Sequence, residues 1–273
     1  MRKTYAIMVL LIFTSGYMYG QDHTSVKNKY YSIEQTINNE ENKSYNIKTV
    51  GILVYDDFAD LDAIGIQSDF SSVMGTHVFF IAPEKGIIVS GTGNSYKVDT
   101  SIDEVAHLDV LVIPGGLQTT RLLTKNQKVL DWIRKIDSTS TFTSSVCTGA
   151  WVLGATGLLK GRNATTHWYR GPEMLKKYGA NYQNRRYVRD GKYWTAAGVS
   201  AGIDMGLAMI LCTKGKTYTE FAALNLQYDP QSPVNGAPER ADPELIKMMT
   251  ELYDIGLNEG RKKMKENNSQ SRK

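Results

Sequence analysis

Three apolar runs and a fourth, strand-like stretch constrain this chain more than any other feature: Thr49 to Tyr55, His77 to Ala82 and Asp109 to Ile113, then Thr141 to Val146. Runs of this length without polar alternation suit strands buried on both faces, and such strands occur where helices cover both sides of a parallel sheet. The first, third and fourth runs are each followed by a stretch with helical spacing, from Leu61 to about Met74, from Thr119 to Ile136, and from Gly149 onward. The alternation predicts an α/β fold with a doubly wound, mostly parallel sheet flanked by helices.

Reactive groups in such sheets gather at the carboxyl ends of the strands. Three loops fall there. The first carries the acids Asp56, Asp57, Asp60 and Asp62, the second is Pro114-Gly115-Gly116, and the third is the turn at Cys147 in Ser144-Ser145-Val146-Cys147-Thr148-Gly149-Ala150. A thiol at a helix start faces unpaired backbone N–H groups and the positive end of the helix dipole, which favour thiolate. Cys147 is therefore the candidate nucleophile, although a small buried hydrophobe is the ordinary role of a free cysteine. Asp62 is either a proton carrier or a cap for the helix that opens there. Asp56, Asp57 and Asp60 read as solvated loop acids. His167, at the end of a short strand, reads as structural or as a base, and Asp204, inside an apolar helix, requires a partner.

The remaining chain divides by composition. Met1-Arg2-Lys3, the apolar stretch from Tyr5 to Phe13 and the small residues after it have the layout of a secretory signal, with cleavage expected near Gly20-Gln21 and a periplasmic or secreted product without a stable membrane anchor. Residues 21–47 are polar and without periodicity, which predicts a disordered lead-in. The α/β domain is expected over residues 48–228, including a hairpin between Gly86 and Asp99, a second hairpin turning at Asp190-Gly191 and an apolar helix from Ser200 to Cys212. Residues 229–273 read as an extension: an irregular Pro-containing stretch, a helix opened by Asp242-Pro243 and running to about Leu257, and a frayed polar end.

An exported chain with two cysteines raises the question of a Cys147–Cys212 disulfide; the apolar run before Cys212 reads instead as that of a buried core thiol. No CxxC or HExxH spacing is present, so neither a metal nor another cofactor is expected. The 32 basic and 28 acidic residues leave a formal charge of +4, with several of the excess charges at the two ends, which argues against a nucleic-acid surface.

Taken in order, Leu61-Asp62-Ala63-Ile64-Gly65, Asp109 to Gly116, Ser144 to Gly149, Ala164-Thr165-Thr166-His167-Trp168 and Gly198 to Asp204 resemble the ThiJ/PfpI superfamily. The likeness is nearest to its isonitrile hydratase branch and to the ligand domain of AraC-type regulators. It implies a flavodoxin-like fold similar to class I glutamine amidotransferases. It further implies a nucleophile at Cys147 and an acid at Asp62, with an anion-stabilising pocket from the backbone N–H groups of Gly116 and Thr148 beside Gly115, and a wall from Gly198 and Val199. The implied reaction is hydration of an isonitrile through a thioimidate, with a small-molecule substrate and a homodimer. Two positions depart from the pattern: Ile66 stands where this branch often has Pro, and Thr148 stands where peptidase-like and glyoxalase-like relatives have His. No helix-turn-helix segment follows Tyr228, which disfavours a regulator. A ligand-binding or redox-sensing module and a carbonyl-detoxifying enzyme are the competing readings.

Overall fold

The computed structural model describes residues 23–37 and 45–270. Its centre is a six-stranded sheet in the order β2-β1-β5-β6-β10-β9, built from β1 (Thr49–Leu53), β2 (His77–Ile81), β5 (Val110–Ile113), β6 (Phe142–Val146), β9 (Tyr187–Asp190) and β10 (Tyr193–Ala196). All neighbours run parallel except the β9 edge, which folds back antiparallel on β10. The apolar runs become strands because both faces are covered: Val110 to Ile113, Ile52 and Leu53 are fully buried.

From β1 the chain passes through α2 (Asp60–Ser71) to β2 on one side of β1, and later re-enters the sheet at β5 on the other side. Right-handed crossovers that move in opposite directions place their helices on opposite faces. One helical layer accordingly contains α2, α7 (Val199–Lys214) and α8 (Lys216–Asn225), and the other contains α3 (Gln118–Leu123), α4 (Gln127–Asp137) and α5 (Gly149–Ala155). The reversal leaves a crevice at the carboxyl ends of β1 and β5, where a ligand site belongs. Two small ribbons complete the domain: the hairpin β3 (Gly86–Val89) with β4 (Ser95–Val98), and β7 (Asn163–Ala164) with β8 (Asn181–Tyr182), next to the short helix α6 (Gly171–Lys177).

Four features differ from the sequence reading. The lead-in contains a helix, α1 (His23–Ile37), which packs against α8 and sets Ile37 against the core. Its lack of periodicity reflects the small apolar contact it makes. The single helix expected from Thr119 to Ile136 is two, because Asn126 caps α4 by accepting the Val129 N–H at 3.3 Å. Helix α8 and strand β8 were not anticipated. Finally, α9 (Pro243–Gln270) runs well past Leu257. The segment expected to be a secretory signal lies outside the described residues. Among the described residues no helix is long and apolar enough to cross a membrane.

Candidate active site

Strand β6 delivers Cys147 to the crevice on a strained turn. Its φ of 58° lies in the left-handed region, which costs a side-chain-bearing residue about 1–2 kcal/mol. Neighbouring elements hold the turn: the Cys147 N–H donates to Ala196 O at 2.9 Å, and its carbonyl accepts the Thr166 hydroxyl at 2.7 Å. Helix α5 begins immediately afterwards, so close to the end of β5 that a Cβ at Gly149 would stand 2.1 Å from Ile113 O.

Three of the expected groups converge on Gly115. A Cβ there would lie 2.8 Å from Asp62 Oδ2, 2.8 Å from Cys147 Cβ and 2.9 Å from the Thr148 nitrogen. Glycine at this position is a condition of the site. Asp62, in the first turn of α2, is 1% exposed and accepts the Gly115 N–H on Oδ2 at 3.0 Å, whereas its Oδ1 has no hydrogen-bond partner. It does not cap its helix; no side chain caps α2 at all. Burial raises its pKa to about 7, against the lowering effects of the Gly115 N–H and the Cys147 side chain. The carboxyl is thus poised to exchange a proton near neutrality.

The thiol behaves differently from the expectation of a ready thiolate. Burial first, and then the Asp62 charge, push Cys147 well above the usual thiol range, and the hydrogen bonds of Thr148 only partly oppose them. Helix α5 spans seven residues, so its dipole is small beside these effects. At rest the sulfur carries its proton, and Asp62 is the group able to remove it. Asp62 and Cys147 together form one coupled acid–base unit.

Gly116 and Thr148 are also adjacent. The Gly116 N–H donates to Thr148 Oγ1 at 3.1 Å, while the Thr148 hydroxyl donates to Gly116 O. In this geometry the Gly116 N–H is engaged, and the Thr148 N–H is the donor acting on the sulfur. Behind them Tyr55 donates to Pro114 O at 2.7 Å and fixes the Pro-Gly-Gly loop. Gly198 and Val199, at the start of α7, line the same crevice.

The crevice opens into a cleft of about 1320 Å³ lined by Asp62, Cys147, Thr166, His167 and Trp168 among others. His167 is largely buried; Nδ1 accepts the Tyr169 N–H at 3.3 Å, and burial lowers its pKa to about 4. It is a neutral ring at physiological pH, which weakens its case as the base. The far wall was missed in sequence: Ser232 to Arg240, part of the stretch read as an irregular tail, lines the cleft. No periodic or motif signal marks it; its Pro and Gly content was read only as a loop.

Other expectations change role. Asp60 is 8% exposed and accepts hydrogen bonds from Tyr96 at 2.7 Å, Thr92 at 2.9 Å and Asn94 at 3.1 Å. Burial alone would raise its pKa, but these donors and Ser90 hold it well below the usual carboxylate range. Asp56 accepts the Val89 N–H, and Asp57 accepts the Gln118 N–H at 3.1 Å. These acids therefore staple the hairpin and α3 around the site instead of being merely solvated. Asp204 finds its partners in Arg186 and Tyr228. Cys212 is half-buried, not a core residue, and accepts from Arg189 at 3.1 Å; neither cysteine is in a disulfide.

A cysteine on a strained strand-to-helix turn, with a buried acid beside it, is an arrangement that can be compared with known proteins. Residues 48–211 match the DJ-1/PfpI family. The chain belongs to that family. Among its DJ-1/PfpI relatives, the isonitrile hydratase of Pseudomonas putida is 33% identical over 198 residues, covering 72% of this chain and 86% of that enzyme. The deglycase PfpI of Pyrococcus furiosus is 33% identical over 121 residues, 44% of this chain and 72% of the deglycase. Among solved structures, a ThiJ/PfpI family protein from Pseudomonas syringae superimposes with a TM-score of 0.75 at 30% identity, covering 81% of this chain and 92% of that one.

Proposed function

We propose that this chain is a cysteine-dependent hydro-lyase that adds water to a small isonitrile through a thioimidate on Cys147. The observation that carries the reading is Asp62: a carboxyl buried beside the thiol, one oxygen tied to Gly115 and the other without a partner. Hydration of an isonitrile requires a nucleophile at its terminal carbon and one group that moves protons to and from that carbon. The Asp62 carboxylate takes the thiol proton as the sulfur bonds to the terminal carbon, then returns that proton to the same carbon, which gives S–CH=N–R. Water adds to this carbon, and one water proton passes through Asp62 to nitrogen. The C–S bond then breaks as the remaining hydroxyl proton leaves, which releases the N-substituted formamide and restores the thiol. The Thr148 N–H favours the sulfur's negative charge during the exchange.

The hydratase relative supports this chemistry, and the deglycase relative keeps carbonyl detoxification as its rival. The raised thiol pKa disfavours redox sensing, which works best with an exposed thiolate. Export and a homodimer belong to the same proposal, tested by the mass of the mature chain and by its size in solution.

The test is formamide formation from a simple isonitrile. Cys147→Ser and Asp62→Asn are expected to lower kcat/KM by at least ~100-fold, the scale of a lost acid–base group. The pH profile of the wild type fixes the sign. Below about 7 both Asp62 and Cys147 carry protons and the carboxyl cannot accept another, so kcat/KM falls as pH drops through that value. Full turnover by Asp62→Asn would remove the carboxyl from the mechanism. A reactive Cys147 with no formamide from any isonitrile would transfer the site to another electrophile.

A further inference from the structure

The C-terminal helix reaches the cysteine site from outside the α/β layers. Near the middle of α9, Tyr253 packs its ring 5.7 Å from His167, 5.9 Å from Trp168 and 4.9 Å from Tyr169, centroid to centroid. Trp151, Tyr169 and Leu257 form the buried heart of this cluster, with Leu117, Trp168 and Tyr253 against it. His167 and Trp168 also line the cleft that holds Cys147 and Asp62. The Tyr253 phenol lies within electrostatic reach of the sulfur: burial raises its pKa first, and a Cys147 thiolate raises it further.

The helix is pinned in this position. Tyr169 and Arg170 both donate to Asp254, Arg170 at 2.8 Å, and Gln118 Nε2 donates to Gly256 O at 2.8 Å. Arg170 holds a left-handed backbone, φ 51°, at the turn that makes the contact. The pins lie one and three residues after Tyr253 and fix the face of α9 that carries it. With His167 neutral, the side of the cleft lined by His167 and Trp168 is aromatic and uncharged, and Tyr253 packs against both rings from behind. Such a wall favours flat, apolar groups through ring–ring contact.

We propose that Tyr253 is a positioning residue for the specificity of the cysteine site, holding His167 and Trp168 as an aromatic wall that selects electrophiles bearing an aromatic or flat apolar substituent. Applied to the hydratase reading, on which its substrate class rests, it assigns aryl or benzyl isonitriles over short aliphatic ones. The wall itself requires only a reactive Cys147.

The test therefore reads the wall without isonitrile turnover. Alkylation of Cys147 in the full chain is timed with 2-chloroacetamide and with N-benzyl-2-chloroacetamide, which share a reacting carbon and differ in the ring. The wild type is expected to prefer the benzyl reagent. Tyr253→Leu, which keeps an apolar side chain but no ring, is expected to lower the benzyl-to-plain ratio about fivefold, and Tyr253→Phe to keep it. Asp254→Ala, which releases the pin, is expected to lower it in the same direction. The rate with plain chloroacetamide reports whether the site is intact in each variant. An unchanged ratio in Tyr253→Leu, with that rate also unchanged, would overturn the proposal. Failure of the hydratase reading alone would leave the ratio and its dependence on Tyr253 as they are.

Discussion

At the residue scale, the site depends on a backbone conformation that its central side chain disfavours. Cys147 occupies the left-handed region because β6 must end and α5 begin within a single turn, and contacts from Ala196 and Thr166 hold it there. A comparison of two variants measures that strain. Cys147→Ala removes the thiol but keeps a Cβ, whereas Cys147→Gly removes both and adopts the same φ freely. Denaturant unfolding is expected to show the glycine variant more stable than the alanine variant by about 1 kcal/mol, although glycine is ordinarily the less stable choice. The reverse order would mean that the turn is not strained. The sequence made the cysteine and its neighbours legible because a strand end followed by small residues is a local pattern. The thiol's protonation was not legible, because burial and the Asp62 charge come from elements far away in the chain and outweigh the short helix dipole.

At the scale of elements, β1, β2 and β5 were legible from their apolar runs, whereas β6 is buried on both faces with Thr143, Ser144 and Ser145 inside it and was legible only from its place between two helices. The break between α3 and α4 was not legible, because Leu122, Leu123 and Val129 fit a single stripe and only the cap geometry at Asn126 reveals two helices. The pairing of α2 with α7 contains a further cost hidden from sequence. Asp69 of α2 is fully buried, neither of its oxygens has a hydrogen-bond partner, and burial together with the Asp204 charge raises its pKa to about 9. The folded state therefore holds a proton that the unfolded chain releases above pH ~4. Between these values the unfolded state binds fewer protons, so Asp69 makes stability fall as pH rises, by at most about 1.4 kcal/mol per pH unit. Asp69→Asn removes the titration. Any constant penalty from the amide cancels in the slope, as does the parallel contribution of Asp62. Urea unfolding at pH 5 and pH 8 is expected to show the wild type losing stability relative to Asp69→Asn over that interval. Equal slopes would place the Asp69 proton elsewhere.

At the scale of the whole molecule, the question is how a C-terminal extension becomes part of a site in the preceding domain. Composition set the stretch after Tyr228 apart, but nothing local revealed that residues 232–240 turn back along the cleft or that α9 docks on α3. Among the described residues α9 docks through Leu257 and Tyr253 against Trp151 and Tyr169, Tyr253 against His167 and Trp168, Gly256 against Leu117, and the pins at Asp254 and Gly256. The opposite stripe of the helix, with Leu245, Met248, Leu252 and Ile255, is exposed. A helix that leaves one apolar stripe exposed opens at a lower free energy than the sheet, where Val50, Val112 and Val146 are fully buried. Leu257→Ala removes a buried side chain from the interface, a loss of about 2 kcal/mol or more. If α9 opens as its own unit, this loss falls on it alone. Amide exchange in residues 243–257 is expected to quicken by about thirtyfold while exchange in β1, β5 and β6 stays at the wild-type rate. Equal acceleration in the sheet would instead make α9 part of the global folding unit, with the aromatic wall as rigid as the core that carries Cys147.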